Sequence, residues 1–280
     1  MSCEPGRGMH AHWDEAGLAF ALVVAVLVVA GLVRGVGSRS LRRGIVFAVG
    51  WGLLTLALWS PLHEYGHVSF ALHMVQHVLM IAIVPPLLLY ARVGHALRDV
   101  LPRALIRRSG GALRVGSRIR GGMLSGPGRV VIALTHAVVL WTVHTPALYE
   151  AALFSSTVHH IEHLALLASA YAVWWAVMTG PASRIGGSVL GLAVSGAAGG
   201  VLATLIIVSP EPWTEAHNPH VVGFAISLLE DQQLGGGVMV LVGSVVWTLA
   251  AAVCFVRWLR AIERRQAARD RVDRREVPSP

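Results

Sequence analysis

The chain has 280 residues, of which 55% are hydrophobic and only 14% charged, and its mean hydropathy is +0.62. Several of its uninterrupted apolar runs approach the ~20 residues that cross a bilayer, which excludes an ordinary water-soluble domain. The net charge of +8 comes from 23 basic residues, all arginine, but no aromatic-basic binding module accompanies them, so nucleic acid is not the partner they serve.

In chain order, an extracytoplasmic segment is expected at 1–15, followed by a first apolar span at 16–33. That span lacks a basic leading region and is followed by RGVGSRSLRR, so it reads as a retained span and not as a cleaved leader. Further spans are predicted at 44–60, 70–91, 130–146, 158–178, 185–208 and 234–256. The fold class is therefore all-α: a polytopic membrane helical bundle of about seven transmembrane helices over 16–258. A Gly- and Arg-rich cytoplasmic loop covers 92–129, and a basic tail covers 259–280.

The arginines occupy alternate connections. Arg34, Arg39, Arg42 and Arg43 follow the first span, nine run from Arg92 to Arg129, Arg184 follows the fifth, and eight run from Arg257 to Arg275; only Arg7 lies elsewhere. The positive-inside rule then places the N-terminus out and the C-terminus in, with the basic clusters facing anionic lipid heads. Cys3 and Cys254 fall on opposite sides in this topology. They cannot pair, and no Cys-x-x-Cys metal site exists.

Thirteen of the fourteen histidines fall in the outer half of this topology, and only His95 is cytoplasmic. An imidazole in hydrocarbon costs several kcal/mol unless it is paired or coordinated, so the asymmetry points to function. Two stretches also resemble each other: LWSPLHEYGHVSFALHMVQHVLM (58–80) and LWTVHTPALYEAALFSSTVHHIEHLALL (140–167). Trp59 aligns with Trp141, Ser69 with Ser155, His73 with His159, Gln76 with Glu162, and His77 with His163. This suggests two hairpins related by a parallel internal repeat, with the functional centre between them.

On a helix, residues four apart share a face, so His73 and His77 point together with Gln76 beside them, and His159, Glu162 and His163 repeat the arrangement. Facing each other, two such helices would gather imidazoles, a carboxylate and thioethers from Met74 and Met80. That donor mixture suits copper, Cu(I) in particular, with zinc next. MHAHW (9–13) could be an accessible capture point. His136 is isolated and is expected to hydrogen-bond a neighbouring helix. EDQQ (230–233) could orient imidazoles or simply cap the last helix, and Gly235 to Gly237 would permit close packing.

Two rival readings remain open. HEYGH (63–67) has the His-Glu-x-x-His spacing of a zinc peptidase, with His63 and His67 as ligands and Glu64 to activate water. It falls in a turn after Pro61, however, and reads better as loop histidines at the aqueous interface. A bis-histidine haem would take one ligand from each of two helices and leave two imidazoles spare.

The ordered motifs LHMVQH with Pro85-Pro86, HTPALY, HHIEH leading to Trp174-Trp175, and EDQQLGG resemble the CtaG family of cytochrome c oxidase assembly factors, the polytopic bacterial kind. The resemblance runs from about residue 50 to 245. It implies a multi-pass protein of the bacterial plasma membrane, needed for active haem-copper oxidase, with copper delivery as its role and no enzymatic activity. The implied partners are cytochrome c oxidase subunits and membrane lipids. The family pattern covers His73, Met74, Gln76, His77, His144, Pro146, His159, Glu162, His163, Asp231 and Gln232. Neither HEYGH nor MHAHW belongs to it. The expected metal set is thus His73, His77, His144, His159 and His163, with Met74, Gln76, Glu162 and Asp231.

Overall fold

The computed structural model describes residues 38–93, 119–179 and 185–276, with 22–23, 25–26 and 28–29. The expectations for 1–15 (with Cys3, His10 and His12), most of 16–33, most of 92–129 (with His95), Arg184 and 277–280 lie outside these residues. Among the described residues every regular element is helical, and six helices are long and apolar enough to cross a membrane. The chain is a multi-pass membrane protein.

The elements are α1 (Ser38–Leu58), α2 (Pro61–Gly66), α3 (Phe70–Val78), a π turn (Leu79–Ile83) and α4 (Val84–Ala91). They continue with α5 (Gly126–Val143), α6 (Pro146–Phe154), α7 (Ser156–Met178), α8 (Ile185–Val208), a 3-10 turn (Pro219–Val222) and α9 (Leu228–Glu276). Serine hydroxyls start several of them. Ser60 Oγ accepts from the Leu62 amide at 3.0 Å, Ser69 Oγ from Leu72 at 3.4 Å, Ser125 Oγ from Gly128 at 3.1 Å and Ser155 Oγ from Val158 at 3.4 Å. Pro61, Pro127 and Pro146 sit in first turns, where a missing N–H costs nothing.

Three spans differ from the sequence expectation, and the one expected at 44–60 runs Ser38–Leu58. The span expected at 130–146 begins at Gly126 and ends at Val143, because Ser125 and Pro127 start it and His144 caps it. The last helix begins at Leu228, not 234, because Ser227 and Glu230 form a reciprocal cap: Glu230 Oε2 accepts from the Ser227 amide at 2.7 Å, and Ser227 Oγ from the Glu230 amide at 3.2 Å. At 49 residues, α9 is about 73 Å long. It absorbs the expected basic tail as far as Glu276.

Three contacts fix how the helices meet. A Cβ on Gly236 would lie 3.0 Å from the Ala203 carbonyl and 2.7 Å from Ile207 Cγ1, so α8 and α9 pack backbone to backbone there. Pro85 and Pro86 leave the Ile81 carbonyl without a helical donor, and the Trp174 indole N–H supplies one at 2.9 Å, tying α7 to the π turn. Buried Arg129 donates to the carbonyls of Leu124, Ala176 and Thr179 and to Ser188 Oγ, binding the ends of α5, α7 and α8. The space left between α3 and α7, closed by α2 and α6, holds the histidines.

Candidate metal centre

The two aligned segments take the same local form. Ser69 caps α3 and Ser155 caps α7, so His73 and His159 stand equally far into their helices, Gln76 and Glu162 follow at the same register, and His77 and His163 come one residue later. The paired imidazoles meet across the gap. Ring centroids lie 4.4 Å apart for His73 and His77, 4.0 Å for His159 and His163, 5.5 Å for His73 and His159, and 5.4 Å for His77 and His163.

Glu162 lies among them. Its Oε1 is 3.5 Å from His77 Nε2 and 3.9 Å from His73 Nε2. The Nε2 atoms of His73, His77, His159 and His163 and both Glu162 oxygens are buried without a hydrogen-bond partner. An orphaned buried polar atom costs about 1–3 kcal/mol, so this many facing one space is expensive unless something binds there. Three sets of potential ligand atoms lie within 4.8 Å of one another: His63, His159 and His163; His73, His77 and His163; and His73, His159 and Glu162. Imidazole nitrogens with one carboxylate suit a borderline or soft cation.

The surrounding hydrogen bonds fix which nitrogen each ring presents. His144 Nδ1 is 2.7 Å from the Leu140 carbonyl, so it carries the proton and leaves Nε2 to accept from His77 Nδ1 at 3.4 Å. His73 Nδ1 lies 3.3 Å from the Gly66 carbonyl. Both His73 and His77 therefore turn an Nε2 lone pair toward Glu162.

Of the residues expected as ligands, the structure gathers His73, His77, His159, His163 and Glu162. His144 stands behind His77 as its hydrogen-bond partner. The Gln76 amide donates to the Ala57 carbonyl at 2.8 Å and lies 3.3 Å from His63 Nδ1. Met74 does not face the imidazoles: one helical residue beyond His73, it turns toward α9, its Cγ 3.0 Å from where a Gly235 Cβ would stand. Asp231 is likewise elsewhere. Its carboxylate accepts from Ser69 Oγ (2.8 Å) and the amides of Phe70 (2.6 Å) and Ala71 (3.2 Å), capping α3 from α9. Gln232 accepts from the Trp213 amide at 2.6 Å.

HEYGH is not a loop. Capped by Ser60, it forms α2, and its histidines turn inward: His63 stacks on His159 at 5.2 Å, and His67 lies 4.8 Å from His159. Glu64 is exposed, away from the role a peptidase would need. His136 pairs with the Ser169 hydroxyl at 3.0 Å. Tyr149 and His217 are additions: the phenol and His217 Nε2 are 2.9 Å apart, and the Tyr149 ring lies 5.1 Å from His73. The spacing of HTPALY and EAHNPH carried no periodic signal for that pairing. Burial, and then the neighbouring His73, lower the His217 pKa from 6.5 to about 4, while burial, and then Glu162 and Asp231, hold the Tyr149 hydroxyl well above its ordinary value.

The sequence model of the cytochrome c oxidase caa3 assembly factor family (Caa3_CtaG) matches residues 18–261. No curated protein and no solved structure matches the chain.

Proposed function

The chain belongs to the cytochrome c oxidase caa3 assembly factor family, a family of membrane assembly factors and not of enzymes, and we propose that it holds copper on its clustered histidines and delivers it to the oxidase. The observation that carries this reading is the set of buried, unpartnered donor atoms on His73, His77, His159, His163 and Glu162. Four imidazoles gathered around one carboxylate suit copper, with zinc next, and Cu(I) brings the smaller charge into the buried site. The alternate placement of arginine supports a plasma-membrane protein with its N-terminus outside, so that the histidine end of the bundle faces the extracytoplasmic side. Release would proceed by ligand exchange with histidines of the receiving subunit, with no covalent catalysis.

Metal analysis of the detergent-purified chain tests this. Copper is expected in the wild type and absent when His73, His77, His159 and His163 are all replaced by Ala, and oxidase activity in cells carrying that variant should fall with it. Copper retained by the variant, or never bound by the wild type, would refute the reading.

A further inference from the structure

The three candidate ligand sets overlap pairwise. His159 belongs both to the set with His63 and to the set with Glu162; His73 links the Glu162 set to the His77 set; His163 links the His77 set back to the His63 set. One ring nitrogen binds one ion at a time. Sets that share ligands in this way are therefore alternative positions for an ion and cannot all be filled together. They also differ in access. Every member of the two sets containing His73 is buried, whereas His63 is only half-buried. His63 and His163 line a cleft with His160 and Met80, which adds a thioether and an exposed imidazole at that end.

We propose that these sets are successive stations of a single soft metal ion, taken up at the cleft by His63, His159 and His163 and passed inward to Glu162, His73 and His77. The inference rests on the copper reading above. In the first hop the bonds to His63 and His163 break and bonds to His73 and Glu162 form, while the bond to His159 persists. In the second, the bonds to His159 and Glu162 break and bonds to His77 and His163 form, with His73 retained. No electron moves and the ion keeps its charge. Because one ligand is held through every hop, the ion never crosses apolar space uncoordinated, which would cost far more than exchanging one donor for another. Glu162 offsets the ion's charge where burial is deepest. This gives the HEYGH pentapeptide a role that requires neither zinc nor activated water: His63 is the receiving ligand, and Glu64 stays in solvent.

The test uses the full chain in detergent, loaded with Cu(I) under reductant and challenged with a chromophoric Cu(I) chelator, reading both occupancy and exchange rate. The wild type should hold about one ion per chain. His63→Ala and the polar replacement His63→Asn should keep that occupancy but exchange on the order of tenfold more slowly. His73→Ala should lose the tightly held ion. Glu64→Gln and the exposed His220→Ala should behave as wild type. Two ions per chain, wild-type exchange in both His63 variants, or slowed exchange in Glu64→Gln would overturn the relay while leaving copper binding intact. A wild type that binds no copper would overturn the copper reading as well.

Discussion

His77 Nδ1 lies 3.4 Å from His144 Nε2, and His144 is itself oriented by a 2.7 Å contact from its Nδ1 to the Leu140 carbonyl. The chain of donors runs from one helix end to the next and leaves the far side of His77 basic, so His144 acts on a bound ion through His77. His144→Ala is expected to weaken copper by about 10–100-fold without changing its stoichiometry, as loss of an orienting partner does. His77→Ala should remove a ligand outright. Chelator competition on the two variants distinguishes them, and equal losses would make His144 a ligand.

Asp231 gathers three donors at the start of α3, from Ser69 Oγ and the amides of Phe70 and Ala71. That carboxylate holds the helix carrying His73 and His77 against α9. Asp231→Asn should lower thermal stability by about 1–2 kcal/mol while leaving copper stoichiometry unchanged, since one of two acceptor oxygens becomes a donor facing donors and no ligand is lost. Copper lost at unchanged stability would restore Asp231 to the ligand set.

Much of this arrangement was legible beforehand because its signals are local. Serine eight residues before a histidine, with another histidine midway, fixes a cap and a helical face at once, and the same pattern at Ser69 and Ser155 located both halves of the centre. What escaped notice depends on distant partners. Nothing near Asp231 announces that it caps a helix some 160 residues earlier in the chain. Met74 sits beside His73 in sequence, yet a single residue turns it toward Gly235. α2 is only six residues long, too short for periodicity to show, and Pro61 at its start reads as a turn. In the fold a Cβ on Gly66 would fall 2.2 Å from Gln76 Oε1, so a larger residue there would have to displace the Gln76 amide where α2 packs onto α3.

The expectation that Gly235 to Gly237 permit close packing divides by position. A Cβ on Gly236 meets the Ala203 carbonyl at 3.0 Å and Ile207 at 2.7 Å, whereas one on Gly237 meets nothing within 4 Å. Backbone cannot step aside as a flexible side chain can. Gly236→Ala should therefore cost about 1–3 kcal/mol in thermal or denaturant unfolding, as overpacking does. Gly237→Ala should stay within about 0.5 kcal/mol of wild type. A gain in stability at both positions would mean that helix propensity, not the α8–α9 approach, governs this segment.

The Tyr149–His217 pair makes stability depend on pH in a direction that can be worked out. His217 in the folded protein protonates only near about 4, while in the unfolded chain it does so near 6.5. Between those values the unfolded state binds more protons, so acidification favours unfolding and stability falls as pH drops from 6.5 toward 4. Above 6.5 this residue contributes no slope. Tyr149 acts at the other end: its hydroxyl is held above 10.0, so the unfolded chain ionises first and stability is lost as pH rises past that value. Melting temperatures from pH 4 to 7 should converge for wild type and His217→Gln as the pH falls, because only the wild type carries the buried imidazole that resists its proton. Parallel curves would show that His217 titrates alike in the folded and unfolded chain, so that burial beside the phenol does not resist its proton.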